Sequence, residues 1–318
     1  MLTAILFLAV AFVAFANGAN ANFKGVASLY GSGTATLRRA LYWGTAMTFA
    51  GSIAAAFLAE GMLKKFSGRG IVPDTLVLSP EFMIAVALGA AATSFLATRF
   101  GFPVSTTHAL VGALLGAGLA GSGADVHFAA LGTNFFYPLF FSPVVAIFLG
   151  AITYLFLRFV HLAPNHRTPT LDVLHYLSSG AASFARGLND TPKMAALLLA
   201  APGLNLHWGF LAVAGLIALG GLLDADRVAE TLGKKVTEMD PGQGFAASLV
   251  TAALVTTASF HSLPVSTTHV SVGSLIGIGI TTRQAKWRKV GEILLAWITT
   301  VPCGAVMAAM AYCIVRLF

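Results

Sequence analysis

Runs of apolar residues, each about as long as a membrane is thick, recur along this chain at about 1–19, 41–59, 82–98, 127–141, 142–160, 206–223, 243–260 and 291–317. A helix needs roughly 20 such residues to cross the hydrocarbon layer. Composition excludes the soluble alternative. Only 10% of the residues are charged, against roughly 25% in a soluble domain, too few to cover a water-facing surface. The expected fold class is an all-α, polytopic membrane protein with the lipid bilayer as its solvent. The net charge of +7 does not mark a nucleic-acid binder. The basic residues stand in short clusters between apolar runs, at Arg38-Arg39, Lys64-Lys65, Lys234-Lys235 and Arg283 to Lys289, which is the pattern of cytoplasmic loops. The opening "MLTAILFLAVAFVAFANGA" lacks a basic leader and reads as a retained first helix. Cys303 and Cys313 share the last apolar run, and packing is expected of them rather than a disulfide or metal site.

The chain is also written twice. Pro-Val-Ser-Thr-Thr-His occurs at 103–108 and at 264–269, an offset of 161. "GANANFK" at 18–24 precedes the first copy and "GLNDTPK" at 187–193 the second, an offset of 169. A first repeat over 1–160, a polar linker over 161–170 and a second repeat over 171–318 follow. Both motifs lie in segments interrupted by Gly, Pro and polar residues: 20–36, 103–120, 171–200 and 264–280. Backbone breaks at membrane depth only where it is buried or lines a cavity. Paired interrupted segments at matching places point to a secondary transporter with broken or re-entrant helices meeting at a central site. With Arg38-Arg39 in the cytoplasm, 60–80 and 121–127 fall outside and 226–242 and 281–289 inside, so the repeats are expected to be inverted. Lys64, Lys65 and Arg69 run against that assignment.

Proline suits the first turn of a helix and Ser or Thr its cap. Each Pro-Val-Ser-Thr-Thr therefore reads as a helix start inside the membrane. Free backbone N–H groups and the hydroxyls of Ser105, Thr106, Thr107, Ser266, Thr267 and Thr268 would offer an anion site made from two copies. The alternative is that the hydroxyls bond back to their own helices. His108 and His269 are read as packing and hydrogen-bonding residues. Lys24 and Lys193 occupy equivalent places in apolar surroundings, where a lysine costs roughly 3 kcal/mol, so both are taken as substrate-binding unless they snorkel to an interface. Asn20 and Asn189 add donors and acceptors. Asp190 stands where the first half has Ala21, beside Asn22. It would pair with Lys193 or accept a proton from a bound anion, and Asp190, position 21 and Asn22 are the candidate coupling residues. Two lysines and one carboxylate leave a positive centre suited to a divalent anion.

Together "NGANANFKGVASLYGSGT" (17–34), "ARGLNDTPKMAALL" (185–198) and the two "PVSTTH" copies resemble the inorganic phosphate transporter family, in a bacterial or archaeal form, over nearly the whole chain. The resemblance implies inverted repeats around a central site, a homodimer in the plasma membrane, and phosphate moved by alternating access with Na+ or H+, without a cofactor. By position it carries over Asn20, Ser105, Thr106, Thr107, Asn189, Asp190, Ser266, Thr267 and Thr268, with Na+ expected near Asn20 and Asn189. This chain departs at Ala21, where the family signature has Asp, and at Lys24 and Lys193, where it has Asn. An ammonium in the place of a sodium ion favours proton coupling. Sulfate is the alternative substrate. An intramembrane enzyme is disfavoured, since neither Gly-x-Ser-x-Gly nor His-Glu-x-x-His occurs. A channel is disfavoured by the lack of a continuous polar stripe.

Overall fold

The computed structural model describes residues 1–201 and 203–317. Ten long helices carry the architecture: α1 (Leu2–Ala21), α2 (Leu37–Leu58), α3 (Pro80–Arg99), α4 (Thr106–Ser122), α5 (Tyr137–Phe159), α6 (Pro169–Ala195), α7 (Leu206–Asp224), α8 (Pro241–Phe260), α9 (Thr267–Thr282) and α10 (Trp287–Val315). There is no named strand among the described residues. Among the described residues, eight helices are long and apolar enough to cross a membrane, which makes this a multi-pass membrane fold.

The helix starts follow from local chemistry. Ser79 and Thr168 accept backbone hydrogen bonds from their first turns and each precedes a proline, while Asp240 and Gln243 close a reciprocal capping box ahead of Pro241. Two of the expected interruptions are absent. The runs 127–141 and 142–160 form one continuous span, Phe128–Phe159, with a π-helical turn at Gly132–Phe136 and Pro143 inside α5. Such a turn absorbs an extra residue without ending a helix. Likewise 171–200 is unbroken through Ala195 despite Pro192, and then tightens into a 3-10 turn, Ala196–Ala200. The first half does break, into a 3-10 turn at Asn22–Gly25 and a short helix at Ala27–Gly31. Cys303 and Cys313 are free and exposed on α10 rather than packed inside. Their run forms a helix that turns only one face to the protein.

The packing pairs helices in an exchanged pattern. α1 lies against α3 and α7, and α6 lies against α8 and α2. α4 packs on α10, whereas its counterpart α9 packs on α5. Each hairpin helix thus rests on the other half's terminal helix or its equivalent. Glycines make the close approaches. Gly18 faces the Ile217 carbonyl and Gly187 the Thr48 carbonyl, while Gly112 faces the Val301 carbonyl and Gly273 the Pro143 carbonyl. Without a side chain between them, helix backbones meet directly, which is how membrane helices gain van der Waals contact.

Loop contacts define two ends. At one, Tyr30 Oη donates to Glu230, Arg167 to the Thr34 carbonyl, Arg227 to the Arg99 carbonyl and Lys286 to the Lys234 carbonyl. At the other, Gly61 meets Ser262, the Phe57 ring meets His207, and His127 N–H donates to the Ile71 carbonyl. α6 is too polar to face lipid, and most of its second half is buried.

Candidate functional site

Two extended segments carry Val104 and Val265 to the middle of the molecule, just ahead of α4 and α9. Ser105 and Ser266 cap those helices, accepting from the N–H groups of His108 (3.1 Å) and His269 (3.2 Å). Their hydroxyls are committed to their own helices. The next two residues point elsewhere. Thr107 Oγ1 donates across to the Val265 carbonyl (3.3 Å), and Thr268 Oγ1 donates across to the Val104 carbonyl (2.8 Å). Each hairpin tip is therefore bonded by a threonine of the other.

The lysines complete the exchange. Lys24 Nζ donates to the Val104 carbonyl (2.8 Å) and to Asn20 Oδ1 (3.3 Å). Lys193 Nζ donates to the Val265 carbonyl (3.1 Å), Thr107 Oγ1 (2.8 Å) and Asn189 Oδ1. Asn20 Nδ2 reaches Thr98 Oγ1 (3.0 Å) and Asn189 Nδ2 reaches Ser259 Oγ (3.0 Å). The halves are thus matched in these bonds, with additional partners for Lys193 in the second half and for Asn20, which also donates to the Phe102 carbonyl (2.9 Å) and accepts from the Val104 N–H (3.0 Å), in the first. Both lysines are buried rather than snorkelled. Both amide oxygens expected to face a sodium ion accept from a lysine instead.

The match ends at the charges. Asp190 Oδ1 lies 3.0 Å from Lys193 Nζ, and its Oδ2 lies 3.7 Å from Arg186 Nε and accepts from Asn17 Nδ2 (3.3 Å). Arg186 also donates to Asn17 Oδ1 (2.5 Å), Asn22 Oδ1 (3.3 Å) and Thr48 Oγ1 (3.4 Å). Asn17 Nδ2 in turn reaches Thr106 Oγ1 (3.0 Å). Among the described residues, Lys24 has no carboxylate within ion-pair distance. Arg186, Lys193, Lys24 and Asp190 are 1%, 1%, 4% and 3% exposed. Three cationic side chains therefore share one carboxylate in a buried centre. Such a centre is stable only where an anion or abundant hydrogen bonds offset the surplus.

The structure brings together Asn20, Lys24, Thr106, Thr107, Asn189, Asp190, Lys193 and Thr268, with Asn22 reached through Arg186. Ala21 is buried beside them. Ser105 and Ser266 are drawn in only as caps, and Thr267 is buried with no side-chain hydrogen bond among the described residues. Sequence reasoning passed over Asn17 and Arg186. They occupy equivalent positions, 169 apart, but differ in type, so a search for matching residues skips both. A charge amid apolar residues was the signal that could have found Arg186. The His108 and His269 rings lie 4.5 Å apart, tilted by 41°, and His269 stacks on Trp297 at 3.9 Å. Trp297 Nε1 donates to the Pro103 carbonyl (3.1 Å). His269 Nδ1 also lies 3.2 Å from the Leu139 carbonyl, so these rings pack beside the first tip.

If Ser105 and Ser266 serve as caps, replacing each by Ala costs about 1 kcal/mol of stability. The apparent melting temperature of the detergent-solubilised protein should fall in both variants, with no change in preference between phosphate and sulfate. An altered preference would return both hydroxyls to the substrate.

The profile of the phosphate transporter family matches residues 17–308. A probable low-affinity inorganic phosphate transporter of Rhizobium meliloti is 31% identical over 95% of this chain and 92% of its own length. A sulfate permease of Bacillus subtilis is 31% identical over 88% of this chain and 77% of its own. A solved structure, a sodium-dependent phosphate transporter, superposes with a TM-score of 0.79 at 22% identity, covering 100% of this chain and 99% of that one, and shows the shared fold. With a family profile spanning its two hairpin tips and both lysine-bearing segments, this chain belongs to the phosphate transporter family.

Proposed function

We propose that this protein is a secondary active transporter that carries inorganic phosphate across the plasma membrane with a coupling cation. The observation that carries the reading is the buried centre in which three cations share one carboxylate where two helix N-termini meet. A formal surplus of two positive charges matches hydrogen phosphate, and helix N-termini add partial positive charge. Asn20, Lys24, Thr106, Thr107, Asn189, Lys193, Thr268 and Arg186 would hold the anion, and Asp190 would orient the cations and take up its proton. Ser105 and Ser266 would supply the free N–H groups of their helix starts.

Alternating access is supported by the exchanged packing. The 1–160 and 171–318 repeats would be inverted, because α1 runs toward the end that holds Thr34 and α6 runs away from it. α3 with α4 and α8 with α9 would then be re-entrant hairpins entering from opposite faces. The end holding Thr34 carries Arg38, Arg39, Arg158, Arg167, Arg227, Lys234, Lys235, Arg283, Lys286, Arg288 and Lys289, so it faces the cytoplasm. Lys64, at the opposite end, is paired with Glu60 at 2.7 Å. Opening toward either face requires the crossed Thr107 and Thr268 bonds to exchange partners. Thr107→Val with Thr268→Val is expected to lower the rate of phosphate uptake about thirtyfold, since the bound anion loses two hydroxyl donors worth about 1 kcal/mol each. An unchanged rate would separate the crossed bonds from transport.

For the coupling ion the lysines favour protons over sodium, because each fills the amide oxygen a sodium ion would use. Sulfate is the second reading, favoured by the engagement of both Asp190 oxygens, which leaves a bound anion few acceptors for a proton. Uptake of radiolabelled phosphate and sulfate by proteoliposomes tests both readings. Phosphate uptake driven by a pH gradient without sodium is expected. Uptake of sulfate alone would transfer the site to that anion, and strict sodium dependence would reverse the choice of ion. A homodimer is tested by the mass of the protein in detergent.

A further inference from the structure

We propose that a chain of hydroxyls and one histidine forms a proton path from the cytoplasmic end to Lys24, and that no equivalent path reaches Lys193 from the other end. The proposal rests on the proton-coupled reading above and assigns its route.

The path begins at Ser32, which is half-buried beside exposed Gly33. Ser32 Oγ lies 2.9 Å from Thr34 Oγ1, which lies 3.2 Å from His175 Nδ1. His175 Nε2 lies 2.9 Å from Ser28 Oγ, and Ser28 Oγ lies 2.6 Å from Ser248 Oγ. Ser179 closes the cluster, 2.9 Å from Ser248. Beyond Ser28 and Ser248 a small cavity borders Lys24, Thr251 and Ser271, with about 10 Å³ of space for water centres. That is about the room one water needs, and the walls supply polar partners. Every link is a group that both donates and accepts, so a proton can pass by each oxygen taking one and releasing its own. Lys24 ammonium gives its proton to the water and is left as the amine. Ser28 passes one to His175 Nε2, and Nδ1 releases one to Thr34.

The second half shows that this is a feature of one side. By the offsets of the two motifs, Ser28, His175, Ser179 and Ser248 correspond to Leu197, Leu6, Val10 and Ala87. All four are buried in one apolar cluster. The same positions that wet one side seal the other. Nothing else in the fold demands four buried hydroxyls and a histidine there, since apolar residues fill the equivalent space.

The charges around the path suit its role. At its mouth Arg167 donates to the Thr34 carbonyl and pairs with Asp172 at 2.7 Å. His175 is faced by Ser28, by Thr34 and by Gly244 of α8, none of them charged. At the inner end, Asp190 is held by Lys193 and Arg186, leaving Lys24 as the cation without a carboxylate. When the anion leaves the centre, Lys24 can discharge its proton toward the same compartment. Anion and proton are then released together.

The test uses proteoliposomes of the whole chain with a pH-sensitive dye inside. Ser28→Ala and His175→Gln are each expected to cut phosphate-driven proton flux at least about tenfold. Exchange of labelled for unlabelled phosphate at equal concentrations should persist, because the loaded carrier can shuttle without releasing its proton. Proton flux equal to that of the unaltered protein in both variants overturns the path. Loss of exchange together with proton flux overturns it too, by assigning the cluster to packing. Sodium-driven uptake without proton flux in the unaltered protein overturns the coupling on which the path depends.

Discussion

Asp190→Asn is expected to abolish phosphate uptake and to destabilise the protein by about 3–5 kcal/mol, because removing one partner of a buried ion pair leaves its cations uncompensated. Arg186 and Lys193 both turn to this carboxylate, and the next nearest cation, Lys24, has none. An asparagine keeps the size and can still accept from Asn17, so the loss isolates the charge. Thermal unfolding followed by size-exclusion chromatography reads the stability, and labelled phosphate reads the transport. Asp190→Glu should recover part of the stability and little of the uptake, since it restores charge and shifts the oxygens. A fully stable, fully active Asp190→Asn protein would mean that Arg186 and Lys193 are satisfied by hydrogen bonds alone, and the anion-site reading would fall with it.

The second large effect lies in packing. Gly116→Leu is expected to cost about 3 kcal/mol or more through overpacking. Even a methyl group at Gly116 would overlap the Ala305 carbonyl of α10, and Gly277 faces the Ile147 carbonyl of α5 in the same way. α4 would be pushed off α10, and the tip it carries would move with it. Gly291→Ala is the contrast. It lies in the same α10, exposed, with open space around its Cα, and should stabilise the helix by about 0.5–1 kcal/mol. Melting curves of the two variants should therefore move in opposite directions. Equal shifts would show that backbone contact at Gly116 is not what holds the hairpin.

Much of this was readable from residues alone, for reasons that differ from place to place. The spans followed from apolar length, and the helix starts at Thr106 and Thr267 from Pro and Ser chemistry. The central residues followed from duplication, which marks what both halves keep. The same logic hides what the halves do not share. Arg186 and Asn17 differ in type and bond to each other, so the repeat is blind to the residues that break it. The continuity of Phe128–Phe159 and of α6 was also hidden, because a run of more than one membrane thickness divides naturally into two spans and Pro192 belongs to a segment whose Gly, Pro and polar residues read as an interruption. Which hydroxyls cap and which cross to the other tip depends on how the two tips face each other, and a hexapeptide read alone does not contain its partner.

The exchanged packing has a consequence for how the chain is made. α4 rests on α10, which is synthesised more than 160 residues after it. Until residues 287–315 enter the bilayer, the glycine-lined face of α4 lacks the helix it packs on. The first half therefore waits in the membrane, inserted but unfinished, for as long as translation of the remaining chain takes, some seconds at about 5–20 residues per second. A ribosome that stalls before α10 leaves spans in the membrane with an open seam, a ready substrate for membrane quality control. Closure of the first tip is thus decided at α10, far in sequence from the tip itself.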